Sequence, residues 1–129
     1  MKLVAMNVDS YAVDSTEKFD GQVSRFINRK RFKKLPSQIK ELRDSLRKGD
    51  FPGTIIRTSV EPVLHDVYKL RLPIPDINAG KSNGYRLLYL VAADVGLAVF
   101  MAIYYKKELP AVSDAYIDGL VERSLGELM

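Results

Sequence analysis

In the stretch Val67-Tyr68-Lys69-Leu70-Arg71-Leu72, large apolar and basic residues alternate from Tyr68 onward. A period of two marks a β-strand, with Tyr68, Leu70 and Leu72 on one face and Lys69 and Arg71 on the other. On its C-terminal side, residues 73–83 carry Pro73, Pro75, Asn78 and Gly80, the composition of a loop. Gly84 to Val91 then reads as a second strand and Leu97 to Tyr105 as a third. Ala93-Asp94-Val95-Gly96 joins them as a hairpin. Ser113 starts a last helix with Tyr116, Ile117, Leu120, Val121 and Leu125 as its apolar stripe.

On the N-terminal side, residues 51–64 carry no clear pattern and read either as holding a short strand at Thr54–Ile56 or as wrapping the surface. Upstream, Leu35, Ile39, Leu42 and Leu46 form one helical stripe, closed by Lys48-Gly49-Asp50 with cations in the last turn and a glycine stop. Phe19, Val23, Phe26 and Ile27 form another, running from Ser15 or Thr16 to about Lys33, with Asp14, Ser15 or Thr16 as N-cap. Leu35-Pro36-Ser37 separates the two, since proline disfavours the α region in the residue before it. Residues 2–9 alternate weakly, as an edge strand would. The expected architecture is α+β: an antiparallel sheet with an N-terminal αα-hairpin and a C-terminal helix, the helices on one face, in one domain over residues 1–129.

Charge is unevenly placed. Ten of the twenty basic residues fall between Arg25 and Lys48, opposed there only by Glu41 and Asp44. After Lys107 the balance reverses, with Glu108, Asp114, Asp118, Glu122 and Glu127 against Arg123. A basic half points to a polyanion, because neutralising phosphates releases condensed counterions. With no cysteine, disulfides and thiolate metal sites are excluded. The longest apolar run, Val95 to Tyr105, is well short of the roughly 20 residues that cross a bilayer, and the N-terminus has no signal-peptide core. A cytoplasmic location with no membrane partner is expected. No Asp, Glu and His residues stand at metal-ligand spacing, so neither a metal nor a cofactor is expected. Gly80-Lys81-Ser82 ends like a P-loop, but Pro75 stands where the upstream glycine belongs. His65, the single histidine, is expected at the surface or in a turn.

Three segments taken together carry a resemblance: Val67 to Leu72, Gly84-Tyr85-Arg86-Leu87-Leu88-Tyr89, and Val99 to Glu108 ending in Lys106-Lys107-Glu108. They resemble, in order, three strands of the RelE branch of the RelE/ParE toxins. The preceding basic helices and the following helix also match that family's order of elements. The resemblance implies the toxin of a type II toxin-antitoxin pair, cleaving mRNA in the ribosomal A site without a metal, through attack of a ribose 2′-OH on its own 3′-phosphate. It implies a cognate antitoxin as partner. Carried over by position, Lys69 is general base or charge stabiliser, Arg71 a neighbouring cation, Arg86 the holder of the scissile phosphate and Lys107 the support of the leaving group. The catalytic tyrosine falls nearest Tyr116, with Tyr104 and Tyr105 as alternatives. Arg29, Lys30, Arg31, Lys33, Lys34, Lys81 and Lys106 are the expected RNA-binding residues. The alternatives are a ParE-like gyrase inhibitor and a non-catalytic RNA-binding relative.

The residues alone support part of this. Lys69 and Arg71 share a strand face about 6–7 Å apart. Antiparallel neighbours bring Arg86 and Lys107 alongside, and such a cluster neutralises a phosphate whose charge grows in the transition state. On this reading Arg86 points away from the core.

Overall fold

The computed structural model describes residues 10–128; the expected strand at residues 2–9 lies outside them. Its elements are β1 (Ala12–Ser15), α1 (Glu17–Asn28), α2 (Leu35–Arg47), β2 (Thr54–Ser59), β3 (His65–Leu72), β4 (Tyr85–Ala92), β5 (Leu97–Tyr105) and α3 (Asp114–Leu128). The five strands form one sheet in the order β1-β5-β4-β3-β2. The α+β class is as expected, but the sheet is mixed rather than antiparallel. β1 runs parallel to β5, pairing Ala12 with Leu97 through Ser15 with Phe100. A four-residue strand placed directly before a helix cap is too short to show a period of its own.

Thr16 is the cap that starts α1. Its Oγ1 accepts from the Phe19 N–H at 3.2 Å and donates to the Met101 carbonyl at 3.2 Å, tying the helix start to β5. The helix ends at Asn28, short of the expected Lys33. Arg31 adopts φ 63°, and the Phe32 N–H returns to the Phe26 carbonyl at 3.0 Å. This turn buries Phe32 against Phe26 and Tyr85, a packing gain that the local helical pattern does not encode. α2 runs as its stripe predicts, and Gly49 supplies the left-handed stop with φ 79°.

The helices lie on both faces of the sheet, not on one. α1 and α2 cover Tyr85, Leu87, Tyr89, Phe100 and Ile103, while α3 covers Leu88, Leu90, Val99, Met101 and Ala102. β4 is buried along its whole length. Its sequence explains this, because Tyr85-Arg86-Leu87-Leu88-Tyr89-Leu90 is apolar on both sides apart from Arg86. Two bulges shape the α3 face. Leu88 pairs with Ala102 but Tyr89 with Phe100, so Met101 is extra in β5. Ile55 pairs with Tyr68 but Arg57 with Val67, so Ile56 is extra in β2. Beyond β1, the exposed edge of β5 is closed by Gln22, whose Oε1 accepts from the Ile103 N–H at 2.9 Å.

The loop from Pro73 to Gly84 is folded tightly. Ile74 and Ala79 exchange backbone bonds at 2.9 and 3.1 Å, and 3₁₀ turns occupy Pro75–Ile77 and Lys81–Asn83. Gly84 closes it, and a Cβ there would stand 2.0 Å from the Leu72 carbonyl oxygen and 3.0 Å from that of Gly80. Both obstacles are backbone, so neither can swing away. Gly84→Ala is therefore expected to destabilise the fold by about 1–3 kcal/mol or more, read as a lowered urea midpoint. An unchanged midpoint would contradict this closure. Among the described residues no helix is long and apolar enough to cross a membrane.

Candidate functional site

Strand register assembles a row across the α3 face. Arg71 of β3 lies opposite Arg86 of β4, which lies opposite Tyr104 of β5. Directly paired residues in antiparallel strands stand with Cβ atoms about 4.5–5.5 Å apart. One step along the strands, Lys69 lies opposite Leu88. Lys69, Arg86 and Tyr104 line a cleft of about 270 Å³ whose outer walls come from Ile56 and Arg57 of β2 and Pro110 and Ile117 at the start of the C-terminal region. The bulge in β2 brings Ile56 and Arg57 to it together. Lys69 also opens on a neighbouring groove of about 460 Å³, shared with Arg71 and Lys81.

Arg86 departs from its expected placement, since it is only 5% exposed. Its Nη1 donates to the carbonyls of Lys81 at 2.9 Å and Tyr85 at 3.2 Å, and its Nη2 to that of Ser82 at 3.1 Å. The guanidinium therefore clamps the end of the 73–84 loop onto the sheet. Of its five N–H donors, Nε–H and one Nη2–H remain. Among the described residues neither Arg86, Lys69 nor Arg71 forms an ion pair with a carboxylate. Burial lowers the Arg86 pKa from its ordinary value, the Arg71 charge lowers it further and Tyr104 acts in the opposite sense. A buried cation held only by carbonyl dipoles gains by meeting an anion.

Tyr104 is 7% exposed. Burial pushes its phenol pKa up, the Arg86 charge pulls it part of the way back and Tyr116 adds a smaller upward push. At neutral pH the hydroxyl therefore keeps its proton and can donate it. Arg57 is already committed, with an ion pair to Asp118 and a second, at 3.8 Å, to Asp114. These bonds hold α3 over the mouth of the cleft.

The other expected residues are dispersed. Lys107 and Lys106 border a separate depression of about 500 Å³ with Tyr105; Pro110 lines both this depression and the cleft. Tyr116 is not among the residues lining the cleft, and Lys18 Nζ stands 5.3 Å from its ring centroid. Lys30 and Arg25 grip Glu108 at 2.9 and 2.7 Å, which docks the α1–α2 connection onto the chain after β5. The Arg25 hydrogen bond does most to lower the Glu108 pKa, partial burial works against it, and the Lys30 hydrogen bond and the two charges add to the lowering. Arg29, Arg31, Lys33 and Lys34 are exposed on the same connection, and the Lys34 N–H points at Asp76 at 3.3 Å. His65 is buried rather than at the surface; its Nδ1–H donates to the Val63 carbonyl at 2.6 Å.

Two cleft residues carried little signal in the sequence. Arg57 sits in a stretch whose period is broken by the bulge, and Tyr104 stood only as an alternative to Tyr116, beside Tyr105 at the end of an apolar strand. Among the described residues no cluster of His, Asp and Glu is placed to hold a metal ion. The chain matches no protein-family model, no curated protein and no solved structure.

Proposed function

We propose that this chain is a RelE-like toxin that cleaves mRNA at the Lys69–Arg86–Tyr104 cleft, without a metal, and is held in check by a cognate antitoxin. The observation that carries this reading is a set of cations, Lys69, Arg71 and Arg86, that have no carboxylate partner among the described residues and stand beside a buried phenol on one sheet face. The two remaining Arg86 donors and the Lys69 ammonium suit the non-bridging oxygens of one phosphodiester. In the cleavage step the ribose O2′ bonds to phosphorus as the bond from phosphorus to O5′ breaks. The proton of the 2′-OH passes to the Lys69 nitrogen where that amine is free of its proton, and to water where Lys69 acts as the charge-stabilising ammonium; the Tyr104 phenol gives its proton to the departing O5′. The products are a 2′,3′-cyclic phosphate and a 5′-OH.

On this reading Tyr104 takes the role that position alone had given to Tyr116. Arg71 and Lys81 hold the next stretch of backbone. Lys107 lines the neighbouring depression rather than the cleft, so it has no part in this step. The exposed Arg29, Arg31, Lys33 and Lys34 then supply non-specific attraction to RNA.

The test is to map mRNA ends in a translating extract, with and without ribosomes. Cuts inside coding sequence that need ribosomes and leave 2′,3′-cyclic phosphate ends are expected. Intact mRNA with stalled supercoiling would favour the gyrase-inhibiting alternative. Intact mRNA that is nevertheless bound would favour the non-catalytic one, which the clamp role of Arg86 makes the stronger rival.

A further inference from the structure

We infer that Asp114 and Asp118 form an autoinhibitory latch: they hold Arg57, a further phosphate-binding cation of the cleft, away from RNA until a phosphate displaces them. This rests on the cleavage reading for the cleft that the latch guards. Arg57 stands opposite Val67, on the face of the sheet that α3 covers, and the bulge at Ile56 brings it to the cleft. Its guanidinium is shared by two acids one helical turn apart, Nη1 pairing with Asp118 and Nη2 with Asp114 at 3.8 Å. Nη2 also donates to the Asp114 carbonyl at 3.4 Å. Lys69 and Arg86, which line the same cleft, have no carboxylate partner among the described residues. Of the three cations, Arg57 alone is taken.

Two carboxylates on one guanidinium leave a surplus negative charge at the mouth, which opposes the entry of a phosphate. The fork they occupy is also the one a phosphodiester needs, since two non-bridging oxygens match the terminal nitrogens of an arginine. The carboxylates therefore stand in for substrate oxygens. The latch is also weak enough to yield. The Asp114 side chain is 98% exposed and that of Asp118 61%, and exposed ion pairs contribute little. RNA already anchored on Lys69 and Arg86 holds phosphate beside Arg57 at a high effective concentration, which tips the exchange. α3 stays in place meanwhile, because Ile117, Leu120 and Leu125 keep its apolar side on the sheet.

The experiment titrates the full chain into a fluorescein-labelled RNA tetranucleotide, 2′-O-methylated so that it cannot be cut. Asp114→Asn combined with Asp118→Asn is expected to tighten binding on the order of tenfold. Asp118→Asn alone, the gentler change, gives an intermediate gain, and Glu122→Gln, which removes an acid elsewhere on α3, gives none. In an Arg57→Gln background the gain from the two asparagines is expected to fall several-fold, measured at about 0.15 M salt, where distant charges are screened. Unchanged or weaker binding by both asparagine variants overturns the latch. So does a gain that is as large without Arg57, because the acids then act by charge alone. Cleavage of unmodified mRNA is scored separately. Cutting by the wild type with no gain in the asparagine variants keeps the nuclease and removes the latch. A gain that needs Arg57, with no cutting, keeps the latch and removes the nuclease.

Discussion

Lys69→Ala is expected to slow RNA cleavage by ~10²–10³-fold, and to relieve growth arrest, without lowering the melting temperature. Lys69 is half-buried on β3 and makes no ion pair among the described residues, so its removal leaves no charge stranded. Its cross-strand neighbours are Thr54 and Leu88, neither of which depends on the ammonium. A unit charge about 4 Å from a phosphate contributes about 4 kcal/mol at an effective dielectric constant near 20. That is the size of effect that a loss of two to three orders of magnitude, about 2.7–4 kcal/mol, represents. Lys69→Arg separates its two roles. If the amine takes the 2′-OH proton, arginine fails as badly as alanine, because a guanidinium stays protonated. Single-turnover cleavage of a ribosome-bound message reads the difference, and wild-type rates in Lys69→Ala would remove the site altogether.

Arg86→Ala should damage the fold as well as the chemistry, which distinguishes it from Lys69→Ala. Three carbonyl oxygens, of Lys81, Ser82 and Tyr85, lose a charged donor at once. Hydrogen bonds to a charged group contribute about 1.5–3 kcal/mol each, but Lys81 and Ser82 are exposed and water replaces part of the loss. A net cost of about 3 kcal/mol is expected, seen as a lowered urea midpoint with unchanged slope. Arg86→Lys restores the charge but not the fork, so it recovers little of either property. Equal stability of wild type and Arg86→Ala would mean that the clamp does not hold the loop.

The period-two pattern of Tyr68–Leu72, the stripes of α1, α2 and α3, a cap among Asp14, Ser15 and Thr16, the Gly49 stop and the bounds of β5 are local. Each follows from spacing and backbone preference within a few residues, and each was legible in the sequence. The run Leu87-Leu88-Tyr89-Leu90 also contained a warning that both faces of β4 are covered, since a half-solvated strand has no use for consecutive apolar residues. Tertiary structure alone decided the rest. It made β1 a parallel partner of β5, because that pairing joins residues far apart in the chain. It placed two bulges that move Ile56, Arg57 and Met101 out of simple alternation. It turned Arg86 from an outward charge into a buried clamp, because α3 closes over the sheet and the 73–84 loop offers its carbonyls there. Side-chain chemistry is written residue by residue, but burial and companionship are set by distant segments. Lys69, Arg71, Arg86 and Tyr104 could be named in advance; which of them share a cleft, and which protons they hold there, depended on the packing of β2 and α3 around them.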